Sequence, residues 1–153
     1  MPKKSQKEKV RDEISRRGLT SVLNGTKWRE LTKAIKSELP FRPPYQMKSI
    51  LSSTLHPSSF EKDVWYHGDY SREGIEPFYL VEWIRIRPRY LLPQGRLIPS
   101  KIIEIEEEVI ALLNRLDIPY KYERESIWIF GYTSDTGQIR KKMIVQNRKI
   151  AKK

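Results

Sequence analysis

The residues best suited to chemistry lie on one strand-like segment, Phe78–Arg87, in which alternation separates two kinds of side chain. One face would carry Trp83, Arg85 and Arg87. Planar guanidinium groups beside aromatic rings can grip carboxylates or phosphates and can stack on rings or bases. An equally open interpretation is a solvated face whose arginines pair with the acids of Glu104–Glu108. The predicted binding surface consists of Trp65, Trp83, Arg85, Arg87, Arg89, Tyr90 and Arg96.

Glu82 is the exception on the other face of this segment, which is otherwise apolar. A buried carboxylate is costly unless it is paired, and burial raises its pKa. Glu82 is therefore a candidate general acid or base. We favour the structural alternatives, which are a salt bridge to a helix residue or a local bulge that turns Glu82 outward.

The chain has two histidines, His56 and His67. Together with the arginines they would be the minimum set for metal-free RNA cleavage, with one general base and one general acid. Nothing in the sequence brings them together, because His56 precedes a proline in a loop and His67 lies at a predicted strand end. A metal site is not expected, since His67 and Asp69 supply at most two ligands and the chain has no cysteine. The glycines form no phosphate-binding pattern, and we expect no cofactor.

The formal net charge of +11 comes from the two ends of the chain. Residues 1–18 hold seven basic and three acidic side chains, and residues 138–153 hold seven basic and none acidic, so residues 19–137 are formally neutral. The tail is either a solvated extension or an amphipathic helix that binds acidic protein, phosphate or a membrane surface. Its candidate contacts are Arg140, Lys141, Lys142, Arg148 and Lys149.

The order of the predicted elements favours an α+β fold, with a mainly antiparallel sheet and helices packed on one face. We expect a basic N-terminal helix in residues 1–18, a single α+β domain in 19–137 and a basic tail in 138–153. The predicted elements are helices over 5–17, 28–39 and 100–116, strands over 60–67 and 78–87, an irregular connection over 89–99 and a hairpin over 120–132. With no secretory signal and no apolar run that could span a bilayer, we expect a cytoplasmic protein.

Several segments resemble an uncharacterised family of small, single-domain bacterial proteins. The most specific is Asn24–Leu31, which reads Asn-Gly-Thr-Lys-Trp-Arg-Glu-Leu and is similar to that family's helix opening. The looser segments are Pro43–Lys48, Val64–Asp69, Glu82–Arg85 and Ile129–Tyr132. The resemblance covers residues 18–133 and implies no catalytic residue. The family's similarity to small immunity-type binding proteins is an analogy.

The sequence leads to three hypotheses about function. The first is a non-catalytic protein-binding domain, in the form of an immunity-like protein that neutralises a bacterial toxin or enzyme. This hypothesis rests on an aromatic, arginine-rich strand of the kind that supplies binding energy at protein interfaces, in a sequence that shows no assembled active site. The alternative is a protein that binds RNA or DNA through its basic ends and its Trp/Arg strand. The weaker alternative is a small metal-independent nuclease that uses the two histidines.

Overall fold

The computed structural model describes residues 3–75 and 77–138, and this part of the chain contains three helices and nine strands. The helices are α1 (Gln6–Arg17), α2 (Gly25–Glu38) and α3 (Glu106–Arg115). The strands are β1 (Thr20–Ser21), β2 (Tyr45–Ser49), β3 (Leu55–His56), β4 (Val81–Ile86), β5 (Arg89–Leu92), β6 (Lys101–Glu104), β7 (Lys121–Glu123), β8 (Ser126–Phe130) and β9 (Tyr132–Thr133).

A five-stranded antiparallel sheet forms the centre of the fold, with the strand order β3-β2-β4-β8-β7. Two smaller antiparallel pairs, β1 with β9 and β5 with β6, lie beside it. Helices and antiparallel strands that are not interleaved as βαβ units define an α+β fold, as the sequence predicts.

The first two helices begin and end where their local signals indicate. The side chain of Ser5 accepts a hydrogen bond from the backbone N–H of Glu8, whose carboxylate accepts one from the N–H of Ser5, so the two residues form a capping box. Gly18 ends α1 in the left-handed conformation, with φ of 65°. Asn24 caps α2 through a 2.8 Å bond from the N–H of Lys27.

The hydrophobic core lies between one face of the central sheet and helices α2 and α3. The sheet contributes isoleucines that are fully buried, and the helices contribute apolar side chains at three- and four-residue spacing. The core positions of β4, β8, α2 and α3 are Ile84, Ile86, Ile127, Ile129, Trp28, Leu31, Ile35, Val109, Leu112 and Leu113. Helix α1 lies near residues 78–80, where the Tyr79 hydroxyl donates to Gln6 over 2.7 Å.

The structure contradicts three of the predicted elements. Residues 60–67 form no strand; instead the carbonyl of Val64 accepts a 2.7 Å bond from the N–H of Leu91. The predicted irregular connection contains strand β5, and β6 occupies the start of the predicted third helix. The β-branched Ile102 and Ile103 pair with Leu91 and Tyr90, so α3 begins only after Ile105.

The strand predicted over 78–87 is shorter and less regular than its alternation suggests. Residues Phe78–Leu80 form a 3-10 turn, and β4 begins at Val81. Opposite β2, Val81 pairs with Ser49 and Trp83 pairs with Lys48, so Glu82 is the extra residue of a β-bulge. The bulge places Val81 in the core in place of Glu82.

The division into segments 1–18, 19–137 and 138–153 stays a prediction. Within the described residues, α1 buries Val10 and bonds to the body of the protein. The predicted tail contacts, Arg140 to Lys149, lie outside the described residues. No helix of the described part is long and apolar enough to cross a bilayer.

Candidate functional site

The face of the central sheet that points away from the core carries polar, cationic and aromatic side chains in cross-strand rows. In one row, Gln46 of β2 lies opposite Arg85 of β4, which lies opposite Trp128 of β8. A second row runs from Lys48 through Trp83 to Phe130. Directly opposed side chains on one sheet face are close enough to interact, so these rows form a single surface, which we call the outer face.

The Arg85 guanidinium is the centre of the outer face. Its Cζ lies 5.3 Å from the ring centroid of Phe60 and 5.5 Å from that of Trp128, which places it in cation–π contact with both rings. Its hydrogen bonds go to neutral acceptors, to Ser126 Oγ over 3.2 Å and to Gln46 Oε1 over 3.3 Å. No carboxylate among the described residues forms an ion pair with Arg85.

Arg87 continues this cationic site but is more deeply buried, with 7% of its surface exposed. Its Nη1 donates to the carbonyl of Arg124 over 3.0 Å and to Ser126 Oγ over 2.6 Å. Its Nε has no acceptor within the described part of the chain, and neither does the buried Nε1 of Trp128. The site therefore holds more hydrogen-bond donors than acceptors.

Burial lowers the pKa of both guanidiniums from its ordinary value. The positive charge of Arg87 lowers the pKa of Arg85 further, because the two cations lie close together. Both side chains stay protonated at any physiological pH. An anion bound here would relieve this unfavourable electrostatic environment.

An aromatic group lies next to the arginines. The rings of Trp83 and Trp128 are 4.8 Å apart at 58°, and those of Trp128 and Phe130 are 6.4 Å apart and nearly parallel. Trp83 and Trp128 are partly exposed, whereas Phe130 is buried. Trp83, Arg85 and Trp128 thus present apolar ring surface and a planar cation side by side.

Glu82 lies near the N-terminal end of β4, and its carboxylate is bonded to two cationic side chains. Its carboxylate accepts two bonds from Arg17 of α1, over 2.9 and 2.8 Å, and one from Lys48 Nζ over 2.7 Å. Burial alone would raise the pKa of Glu82, but the bonds from Arg17 and Lys48 outweigh it, so the pKa lies below its usual value. Glu82 is an ionised structural residue with both features of the favoured interpretation, a salt bridge to a helix and a bulge.

Four residues of the predicted binding surface lie elsewhere. Arg89 is held by Asp63 through bonds of 2.5 and 3.0 Å and approaches Glu104 at 3.6 Å, which matches the interpretation that these arginines pair with acids. Tyr90 packs on Phe41 with ring centroids 4.4 Å apart. The other two members are Trp65, whose ring contacts Tyr66, and Arg96, which is exposed in the β5–β6 loop.

The two histidines have different surroundings. His56 lies in edge strand β3 opposite Met47, where its side chain is exposed. His67 packs on Phe41 and Tyr90, with ring centroids 5.4 and 4.6 Å away. No described contact joins them, and the described residues contain no cluster of three potential metal ligands.

Phe60, Trp128 and Ser126 belong to the site but were not among the predicted binding residues. Ser126, Trp128 and Phe130 alternate with buried isoleucines, so a period-two pattern indicates their shared face. Their position beside the arginines depends on the pairing of β4 with β8. Phe60 lies in a loop and carries no local signal of its contact with Arg85 and Arg87.

These features define a small α+β protein whose antiparallel sheet buries one face beneath helices and carries an arginine–aromatic site on the other. Residues 10–136 match the model of a family of unknown function, DUF6678, and the chain belongs to that family. The match confirms the expected resemblance to an uncharacterised family. No curated protein and no solved structure matches the chain significantly.

Proposed function

We propose that this chain is a binding protein whose outer face receives a carboxylate from a protein partner. The observation that carries the proposal is the environment of Arg85, a partly buried guanidinium in contact with two aromatic rings and bonded only to neutral acceptors. A guanidinium matches a carboxylate with paired N–H donors, and desolvation beside aromatic rings strengthens such a bond.

Aromatic residues and arginine are the residue types most often responsible for binding energy at protein interfaces. Trp83 and Trp128 supply rigid ring surface around Arg85, and Gln46 and Ser126 supply neutral polar groups. A partner enzyme with an essential acidic residue would be blocked by such a contact. This is the immunity-like form of the proposal.

The test compares two arginine variants in affinity purification from the native host, with nuclease-treated extract. Arg85→Gln removes the proposed anchor, and Arg16→Gln removes an equal charge from an exposed ion pair on α1. We expect the wild type and Arg16→Gln to retain the same protein partner and Arg85→Gln to retain about tenfold less. Equal recovery by all three proteins, or recovery of no partner, would contradict the proposal.

Single-stranded nucleic acid is the second candidate ligand, because Trp83 and Trp128 place partly exposed rings beside a guanidinium. Bases stack on such rings while phosphates pair with the cations. However, the two indoles pack on each other, which leaves less ring surface for the stacking of bases. We therefore favour the protein partner.

Titration with single-stranded RNA and DNA separates the two candidates. A nucleic-acid site predicts an affinity that falls steeply with salt and depends on Trp83. Binding that survives Trp83→Ala but disappears when residues 138–153 are removed would assign nucleic-acid affinity to the basic tail alone. No binding by the full chain at moderate salt would eliminate this candidate.

A further inference from the structure

The distal end of the β5–β6 hairpin, residues 92–102, forms an exposed projection that is not part of the outer face. Every residue from 92 to 102 is exposed, whereas Tyr90 and Ile103 at the base of the hairpin pack against the core. The projection nevertheless contains large aliphatic side chains. Leu97 at its tip is 97% exposed, followed by Ile98 at 56% and Ile102 at 46%.

The charges of the projection have one sign. Arg96 and Lys101 are its ionisable residues, and the sequence from Tyr90 to Ile103 contains no acid. A protruding aliphatic tip with cations beside it suits the boundary of a bilayer, where the apolar side chains enter the acyl region and the cations meet anionic headgroups.

An exposed aromatic residue lies next to the hairpin. The carbonyl of Val64 accepts a 2.7 Å bond from the N–H of Leu91, so the following residue, Trp65, lies beside β5. Its indole is 71% exposed. Tryptophan is enriched at the membrane–water interface because its ring is apolar and its N–H is polar.

The aliphatic tip of the projection, unlike Arg96 and Trp65 beside it, is not of the composition typical of a protein interface. Binding energy at protein interfaces is concentrated in Trp, Tyr and Arg, and leucine is under-represented there. The tip of the hairpin presents Leu97 and Ile98 with no aromatic residue between Pro93 and Lys101. Prolines at positions 93 and 99 limit the conformations of the loop, which lowers the entropy lost when it is immobilised.

We propose that residues 92–102 form a membrane-anchoring projection that inserts Leu97 and Ile98 into the interface of an anionic bilayer. The anchor would hold the protein on a membrane surface without spanning it. It is independent of the outer face, since neither Arg85 nor Trp128 belongs to the projection.

The first test measures co-sedimentation of the full chain with vesicles of phosphatidylcholine and with vesicles of phosphatidylcholine and phosphatidylserine. We expect binding to the anionic mixture and a loss of about 100-fold in partitioning for the double variant Leu97→Ser/Ile98→Ser, since two aliphatic side chains no longer leave water. Leu51→Ser is the matched control, because Leu51 is an exposed leucine outside the projection. Its partitioning should equal that of the wild type.

The second test separates insertion from attraction by the basic ends of the chain. Because the chain has no cysteine, the variant Leu97→Cys can be labelled at a single position with an environment-sensitive fluorophore. The variant Ser37→Cys, labelled on the exposed side of α2, is the control. We expect the emission of the Leu97→Cys label alone to shift to the blue with anionic vesicles. The proposal is overturned if the wild type does not bind, if the double variant binds equally well, or if the tip label stays in water. It is also overturned if the projection proves to be a contact between two copies of the chain that the double variant abolishes.

Discussion

The two ends of strand β4 handle charge in opposite ways. At the N-terminal end, the carboxylate of Glu82 is surrounded by Arg17 and Lys48, and its three hydrogen bonds come from cations. Toward the C-terminal end, Arg85 and Arg87 bond to hydroxyl, amide and carbonyl oxygens, and two buried donors nearby have no described acceptor.

The difference separates a charge with ionic partners inside the fold from a charge with neutral partners, which is the one that we propose binds a ligand. The removal of one member of a partly buried ion network destabilises the fold, because the remaining charges are left buried without their partners. A guanidinium that rests on aromatic rings and bonds to neutral oxygens contributes less to folding. The Glu82 end should therefore respond to mutation with a loss of stability, and Arg85 with a loss of binding.

The largest expected effect belongs to Gly131, which packs against the backbone at the Glu82 end of β4. A Cβ at this position would lie 2.2 Å from the carbonyl oxygen of Val81. Gly131→Ala should therefore lower the free energy of unfolding by about 3 kcal/mol, because the backbone must shift. Urea denaturation measures this loss. Gly25→Ala is the control, since its nearest neighbour, an atom of Arg29, is 3.5 Å away, and an equal loss in both variants would contradict the prediction.

The next effect concerns the ion network itself. Glu82→Gln keeps the shape of the side chain but leaves Arg17 and Lys48 without their shared anion, and we expect it to lower the free energy of unfolding by about 2 kcal/mol. The exposed Glu61 provides the matched substitution Glu61→Gln, which should change stability by less than about 0.5 kcal/mol. Equal midpoints of chemical denaturation for the two variants would remove the distinction between the ends of β4.

A smaller effect comes from the same substitution at two arginines. Arg17→Gln removes two charge-assisted bonds to Glu82 and should lower the free energy of unfolding by about 1.5 kcal/mol. Arg85→Gln removes bonds to neutral groups and should lower it by only about 0.5 kcal/mol. Thermal and chemical denaturation of both variants test this order. A larger loss for Arg85→Gln would show that its charge is structural.

The smallest effect is the dependence of stability on acid. The pKa of folded Glu82 is lowered, so its stabilising contribution is complete above the ordinary carboxyl pKa of about 4.3 and is lost as the pH falls through the lower folded value. Glu82→Gln should therefore lose less stability than the wild type on acidification through this range. The measurement is the difference between the two denaturation curves at each pH. Parallel losses would contradict the lowered pKa.

Local signals in the sequence were sufficient for the ends of α1 and α2 and for the closing hairpin, but not for the start of α3, where strand β6 occupies the first residues of the predicted helix. Ser5, Gly18 and Asn24 occupy the caps that their residue types predict. The turn between β7 and β8 lies at Arg124 and Glu125, within the predicted hairpin, and both residues have positive φ. These features depend on a few neighbouring residues, which is why pattern and propensity predict them.

The site was predicted only in part, because its members come from distant positions in the chain. Alternation placed Trp83, Arg85 and Arg87 on one face; Trp83 and Arg85 lie on the outer face, and the buried Arg87 bonds to Ser126 beside Arg85. The strict alternation predicted over 78–87 fails at Glu82, where the bulge that was one of the favoured alternatives gives the core position to Val81. A bulge arises from the pairing of two strands and leaves no distinct pattern in either of them.

The sequence by itself determined the α+β class, the caps of α1 and α2 and the arginine-rich strand, because each depends on residue type and short-range periodicity. The tertiary structure alone decided which partners each arginine has. Arg85, Arg87 and Arg89 alternate along the same stretch and look equivalent in sequence. Folding brings Asp63 to Arg89 and the carbonyl of Arg124 to Arg87, and it brings the rings of Phe60 and Trp128 to Arg85. The partners of a charge are set by long-range packing, and they decide whether that charge stabilises the fold or binds another molecule.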